Sequence, residues 1–455
     1  MRKILLAGVL SLTVSPLFAA RPLAAWDVVP YQRVDGTFAA GVVAFHDKAV
    51  KVEFTINGKK FGKAVESPSL NPRTGVEEFV LQFPAGKLSE KLGDRAFSLG
   101  ANVVVEGEEP YKLQPLTIYA NGRGTLGSQK TIWVDSENGN EFAPGDAASP
   151  VKTLARAVKM VGDGGTVYLK SGTYDITLLG GGFARKYWTV VTPAPGVERN
   201  TVKVFSGRPG TEKLHFKNIN FYCDSDSGDY ASIVMGEDGK TSAWFDNCIF
   251  TNLKGRHAGD AYPFGNKLIA YVTGGATYDM TAGSPAVLLR NHTFKSVARN
   301  PIANGKSLVV NCKIDDVKPA EGTTSAELLT LSANSPAWTG DLIVYGLKAS
   351  NVACRVFSLR RLRDSAFVNV VFDDVAAEDG IFSIAAEAVE NVLFVNFSLL
   401  GQELRLAHSK EGRYDFKPVD VVMKKCNFDV ISGCVSHDGS KGFDLRDSKV
   451  KTITK

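Results

Sequence analysis

The chain lacks most of the short signatures that name a chemistry. It has no Gly-x-Ser-x-Gly elbow, no Walker loop and no His-Glu-x-x-His, which removes the common hydrolase, nucleotide and zinc-protease readings. Gly180-Gly181-Gly182 does not open a helix and reads as a turn. A charge surplus is also missing, with a net +5 over 455 residues. The Lys and Arg are scattered and form no basic stripe interleaved with aromatics, so no nucleic-acid partner is indicated. Past the N-terminus no apolar run is long enough for a membrane span. Cysteine is sparse, at six residues. None lies between positions 26 and 121, which excludes an antibody-type disulfide there.

What is present begins with a leader. Arg2 and Lys3 precede a short apolar run from Ile4 to Leu12, and Ala19 and Ala20 offer a small-residue cleavage site. Residues 1–20 therefore read as a secretory signal peptide. With no Cys near the cleavage site, the expectation is a secreted or periplasmic protein and not a lipoprotein.

Residues 26–121 read as a separate β domain. Val50, Val52, Phe54 and Ile56 alternate with polar residues, and Asn57-Gly58 follows as a hairpin turn. Further strands are expected at Glu78–Phe83, Phe97–Val105 and Leu116–Tyr119. Short strands at this spacing suggest an immunoglobulin-like sandwich. The polar stretch Ala120–Gln129 reads as a linker.

The remainder carries a repeat: Asn, two variable residues, then a large apolar one. It stands at Asn218–Phe221, Asn247–Phe250, Asn291–Phe294, Asn311–Ile314, Asn369–Phe372 and Asn396–Leu399. Lys425–Phe428 is a copy without the Asn, and Gly346–Ala349 is a degenerate one. Each copy follows a short β-rich run such as Leu308-Val309-Val310. β-rich repeats at intervals mostly in the twenties predict a β-solenoid. Cys248, Cys312 and Cys426 share one repeat slot, which predicts buried free thiols stacked between rungs. His292 fills the same slot and reads as a buried, hydrogen-bonded histidine.

The solenoid opens with Trp133-Val134-Asp135, a loop holding Asn138-Gly139-Asn140, and Lys152-Thr153-Leu154. Ser149 is the expected helix N-cap and Pro150 the first helical residue. Val151, Leu154, Ala155, Val158 and Val161 form the apolar face, and Gly164 to Tyr174 return to strand. This run resembles the start of secreted bacterial right-handed parallel β-helix proteins of the pectate-lyase-like class. The resemblance covers about residues 131–435 and implies a right-handed parallel β-helix over 131–455, capped by that helix. The preceding sandwich, with Asn71-Pro72-Arg73-Thr74-Gly75, also looks like modules fused to such helices. The class includes lyases, hydrolases, esterases and non-catalytic proteins, so fold does not name the reaction.

Rungs stacked at the strand spacing of about 4.8 Å make ladders of side chains suited to an extended polymer, so polysaccharide is the expected partner. Cleavage by β-elimination or by hydrolysis, and binding without catalysis, all stay open. Leaving aside the span that holds the degenerate copy, the longest interruption between clear repeats after the capping helix, Thr251–Pro285, reads as a functional loop. There Arg256, His257 and Tyr262 offer the cation, base and acid of a lyase, with Lys254 and Lys267 as substrate contacts. Asp315 and Asp373 follow the repeat at one register and suit a hydrolase if a single rung separates them. Arg360, Arg361 and Arg363 form a basic knot able to contact an anionic sugar. Asp224, Asp226 and Asp229 cluster oxygens for Ca²⁺, which many acidic-polysaccharide lyases of this fold use, although the EF-hand pattern is absent.

Overall fold

A computed structural model describes residues 21–454 except 93–95, 121–126, 177–183, 206–211, 225–230, 235–240, 257–260, 266–267, 281–285, 299–301, 304–306, 320–326, 332–338, 360, 376–383, 387, 407–418 and 433–442. The expected leader, most of the linker, Gly180–Gly182 and Cys434 lie outside the described residues.

Two sheets make the N-terminal sandwich. One has the order Leu23–Trp26, Thr37–Phe45, Glu77–Pro84, Ser69–Leu70. The other runs Arg33–Val34, Leu116–Ala120, Ala96–Val105, Val50–Ile56, Lys59–Lys60. The hairpin stands where the alternation put it: Asn57 and Gly58 both have positive φ, and Thr55 pairs with Lys60. The edge strand Leu23–Trp26 and the central strand Thr37–Phe45 carry no alternating pattern. In the latter, seven successive residues from Phe38 to Ala44 are buried, because one side faces the sandwich core and the other faces the solenoid.

The rest is a parallel β-helix. Strands are paired in parallel from Thr131–Val134 through Lys449–Thr454, each with its equivalent one rung away. A first sheet is built from strands such as Leu214–Lys217, Ser242–Asp246 and Ile269–Thr273. A second contains Asn220–Cys223, Ile249–Asn252, Thr293–Val297 and Lys313–Val317. A third appears on later rungs, at Glu327–Leu331 and Arg355–Leu359.

The repeat motif is the corner between the first and second sheets. Its Asn residues are left-handed, at φ from 49° (Asn396) to 55° (Asn218), a region that Asn tolerates better than most side chains. Gly346 takes φ 70° at the same corner, so the degenerate copy meets the same backbone demand. Corner amides also bond along the stack: Asn247 Nδ2 donates to Asn218 Oδ1 at 2.8 Å, and Asn396 Nδ2 to Asn369 Oδ1 at 2.9 Å. After the corner residue, side chains alternate. The first and third positions point inward, as with Ile219 and Phe221 or Cys248 and Phe250, all buried. Phe221 and Phe250 stack at 5.2 Å. The second and fourth positions point outward, and this decides where a ligand can lie.

The shared slot behaves as the sequence predicts. Cys248, Cys312 and Cys426 are buried and free, and each Sγ donates to carbonyls, for example Cys248 to Phe216 O at 3.3 Å. Burial pushes the Cys248 and Cys312 thiols up to about 12. In the same slot His292 bonds Thr277 Oγ1 through Nε2 and Gly274 O through Nδ1, both at 2.9 Å.

Two expectations are corrected. The capping helix is Leu154–Val161, and its N-cap is Thr153, whose Oγ1 accepts from Arg156 N. Ser149 and Pro150 instead lead into Val151, which forms a parallel bridge to Val134. Thr251–Pro285 is also not one long loop. It holds a full rung, Ile269–Thr273 and Ala276–Tyr278, with Gly274 at the corner (φ 79°). That rung escaped the pattern because Gly274 replaces Asn and Thr277 replaces the large apolar residue.

The sandwich docks on the outer face of the first sheet. Leu23, Val29, Val43 and Val76 share one apolar cluster with Leu288, Leu308, Ile343, Ala366 and Leu393. Polar bonds frame it: Trp188 Nε1 donates to Pro30 O at 2.7 Å, and Asn291 Nδ2 to Thr74 O at 2.9 Å. Arg290 pairs with Asp27, and Arg446 lies 3.1 Å from Asp47.

Candidate functional site

With much of the first sheet covered, the second sheet offers an open ladder. Its fourth-position row is fixed by register. Phe205 pairs with Tyr222, Tyr222 with Thr251, Thr251 with Tyr278, Tyr278 with Lys295 and Lys295 with Asp315. Asp315 then pairs with Ser350, and Ser350 with Asp373. The row therefore passes from aromatic to cationic to acidic along the solenoid. Phe205 and Tyr222 rings lie 5.9 Å apart. Beside this row runs the second-position row, where Lys313 pairs with Lys348. Both lysines are exposed, as is Lys295.

One rung, carrying Ser350, separates Asp315 from Asp373. Two strand spacings put these carboxylates roughly 9–10 Å apart. Asp315 Oδ1 accepts from Ser350 Oγ at 3.2 Å and from Asn351 Nδ2 at 2.7 Å. Asp373 is exposed.

Arg256 reaches the edge of this row from the rung of Ile249–Asn252. Its Nη1 lies 2.9 Å from Asp316 Oδ2, which also accepts from Ser296 Oγ. Burial alone raises the Asp316 pKa, but the Arg256, Ser296 and Lys318 contacts outweigh it and hold the carboxyl below its ordinary range. The residue expected to neutralise a substrate carboxylate thus already neutralises a protein one. Tyr262 stands on Ala261–Phe264, which pairs with Ala231–Val234 in a separate two-stranded sheet. His257 and Lys267 lie outside the described residues.

Other expected contacts separate from the row. Lys254 Nζ is 3.5 Å from Asp224 Oδ1, both side chains exposed. Asp224 thus brings an ammonium group beside it, which does not fit a Ca²⁺ ligand. Asp226 and Asp229 are outside the described residues, and no cluster of three His, Cys, Asp or Glu suited to a metal occurs among the described ones. Arg363 is exposed just before the corner at Asp364, on a strand pairing with Gly340 and Glu390. Arg360 is outside the described residues.

Sequence reasoning missed Phe205, Tyr222, Tyr278 and Lys295. A signal for three of them was present: four residues past each corner stand Tyr222, Thr251, Tyr278, Lys295, Asp315, Ser350 and Asp373. Reading that column requires knowing that the Asn or Gly is the corner.

No family model matches the chain, and no curated protein matches it. Among solved structures it is similar to a rhamnogalacturonan lyase, at 12% identity over 71% of this chain and 87% of that one, with TM-score 0.29. It is also similar to a GH136 lacto-N-biosidase from Eubacterium ramulus, at 9% identity over 70% and 67%, with TM-score 0.41. A third is the catalytic domain of a GH87 alpha-1,3-glucanase in complex with nigerose, at 10% identity over 95% and 96%, with TM-score 0.31. At these scores the likenesses carry no argument about this chain's chemistry. No helix among the described residues is long and apolar enough to cross a membrane.

Proposed function

We propose that this is an exported glycan-active protein that lays an extended polysaccharide along the fourth-position row of its second sheet. Asp315 and Asp373 then act as the two carboxyl groups of hydrolysis. The observation that carries the reading is their shared row with one rung between them. The aromatic end, Phe205 to Tyr278, supplies stacking surfaces, since sugar rings present apolar faces to π-systems. Lys313 and Lys348 favour an acidic chain, because like charges opposed on adjacent strands repel unless an anion lies over them, and Lys295, opposite Asp315, adds a third exposed cation nearby. Asp315, oriented by Ser350 and Asn351, takes the role of water-activating base, and the exposed Asp373 that of proton donor. A separation of roughly 9–10 Å straddles the upper limit of the ~6.5–9.5 Å inverting window and is far longer than retention uses, so hydrolysis here proceeds with inversion.

β-Elimination is the weaker route, since Arg256 is engaged by Asp316 and Tyr262 lies on another ribbon. Binding without turnover is the second reading. It is favoured by the carboxylate spacing, which reaches beyond that window. The sandwich, read as immunoglobulin-like, serves as a rigid cover on the first sheet. Export rests on the N-terminal leader pattern.

The experiment is release of reducing ends by the mature protein from acidic and neutral polysaccharides. Asp373→Asn and Asp315→Asn are each expected to cut release by about 10²–10⁴-fold with no ultraviolet-absorbing product. Release that survives both substitutions ends the hydrolase assignment. Absence of release, with retained binding that both substitutions weaken, establishes the binding reading instead.

A further inference from the structure

Where the sandwich ends, the outer face of the first sheet carries a second set of converging polar groups. Trp244 Nε1 donates to Thr273 Oγ1 at 2.8 Å, and Thr273 Oγ1 donates to Asp246 Oδ1 at 3.1 Å. The other carboxylate oxygen, Oδ2, lies 3.6 Å from His215 Nε2, just beyond a hydrogen bond. That nitrogen is buried and completes no hydrogen bond at normal length. The four residues sit on three consecutive rungs, with His215 opposite Trp244 and Asp246 opposite Thr273.

This arrangement is held rigidly. The imidazole lies flat on the Trp244 indole, centroids 3.8 Å apart and planes within 4°. Trp188 packs edge-on to Trp244, and its bond to Pro30 O fixes the sandwich loop as one wall. On that wall Tyr31 is 37% exposed, with Lys213 Nζ 4.7 Å from its ring. Lys217 is exposed and pairs directly with Asp246. Burial lowers the His215 pKa against the pull of Asp246, so the ring stays neutral near pH 7. Burial also disfavours ionisation of Asp246, but its contacts with His215, Thr273 and Lys217 outweigh that and keep it a carboxylate.

We propose that this seam is a saccharide-binding site in its own right, with Asp246 and Lys217 as its hydrogen-bonding groups and the buried His215 behind Asp246 as the group that responds to binding. One carboxylate is too few for a metal ion. A carboxylate beside an ammonium group does not select an anion. Mixed donors and acceptors beside aromatic edges match the vicinal hydroxyls of a pyranose. Hydrogen bonds left long in an unliganded site commonly tighten on binding, and a sugar hydroxyl on Asp246 closes the gap to His215. The site does not depend on the second-sheet row, from which it differs in sheet and in residues.

The test uses the full chain with ¹³C-labelled histidine, the His215 signal being identified by its loss in His215→Gln. Cellohexaose and hexagalacturonate are titrated separately to millimolar concentration. The expected result is a saturable shift of the His215 signal with at least one of them. Asp246→Asn and the exposed Lys217→Ala each weaken that binding about tenfold or more, while Asp315→Asn and Asp373→Asn leave the shift unchanged. A His215 signal that neither sugar moves overturns the proposal. So does parental affinity in both Asp246→Asn and Lys217→Ala.

Discussion

The Asp27 carboxylate of the sandwich and the Arg290 guanidinium of the solenoid form an ion pair whose side chains are 0% and 7% exposed. Arg73 donates to the Asp27 backbone carbonyl from the sandwich side, at 2.7 Å. Sandwich and solenoid are therefore joined through a charge that neither can leave unpaired. Removing one member of such a pair strands the other in a dry interface and costs about 3–5 kcal/mol. Arg290→Ala should lose that much in urea denaturation. Asp27→Leu with Arg290→Met should recover most of it, since apolar replacement of a buried pair is often neutral. A single variant within about 1 kcal/mol of the parent sinks the anchoring role.

Glu78 gives a pH signature to the same region. Asn71 Nδ2 and Thr74 Oγ1 both donate to Oε1, at 2.7 and 2.9 Å, while Oε2 is buried without a partner. Burial, helped by nearby Asp27, pushes its pKa up to about 8. Folding then raises the pKa above its ordinary value of 4.5, so between the two the folded state holds a proton that the unfolded state has lost. This contribution is complete below pH 4.5 and is lost as pH rises through about 8. Its slope is about 1.4 kcal/mol per pH unit at most. Glu78→Gln should flatten that decline in denaturation midpoints taken from pH 5 to 9. An unchanged slope in the variant means the proton resides elsewhere.

The corner rule predicts a stabilising substitution. Lys425 is exposed and left-handed at φ 54°, where the other copies use Asn or Gly. A β-carbon without a short polar side chain costs roughly 1–2 kcal/mol in that region. Lys425→Asn should raise stability by about 0.5–1 kcal/mol, and Asn247→Ala should lower it by about 1 kcal/mol or more. A loss of stability in Lys425→Asn contradicts the conformational account of the motif.

These cases show which parts of the molecule were legible in the sequence. The solenoid was, because the left-handed corner favours Asn or Gly at most turns and most inward positions are apolar. The sandwich hairpin was legible through Asn57-Gly58. The Ile269–Tyr278 rung was not, since Gly274 satisfies the corner without spelling the motif. The helix start misled because Ser149-Pro150 is a good local cap, overruled when Val151 pairs with Val134. Charge pairing was the least legible part. Arg256 and Asp316 are sixty residues apart, and only the stacking of rungs brings them together. The Asp315–Asp373 relation was reachable because both lie at one offset from their corners.

The thiols supply the last test. Cys248 and Cys312 occupy an inward slot whose neighbours are packed rungs, and each thiol already donates to carbonyls. Burial holds both thiols at about 12, so almost no thiolate exists at pH 8, and the thiolate is the reactive form. An aromatic disulfide reagent should leave both unlabelled in the native protein at pH 8 and label both in denaturant, as read by peptide mass. Rapid native labelling at either position means that the rung opens locally on the experimental timescale. In that case the stacked corner is not the rigid frame on which both candidate sites depend.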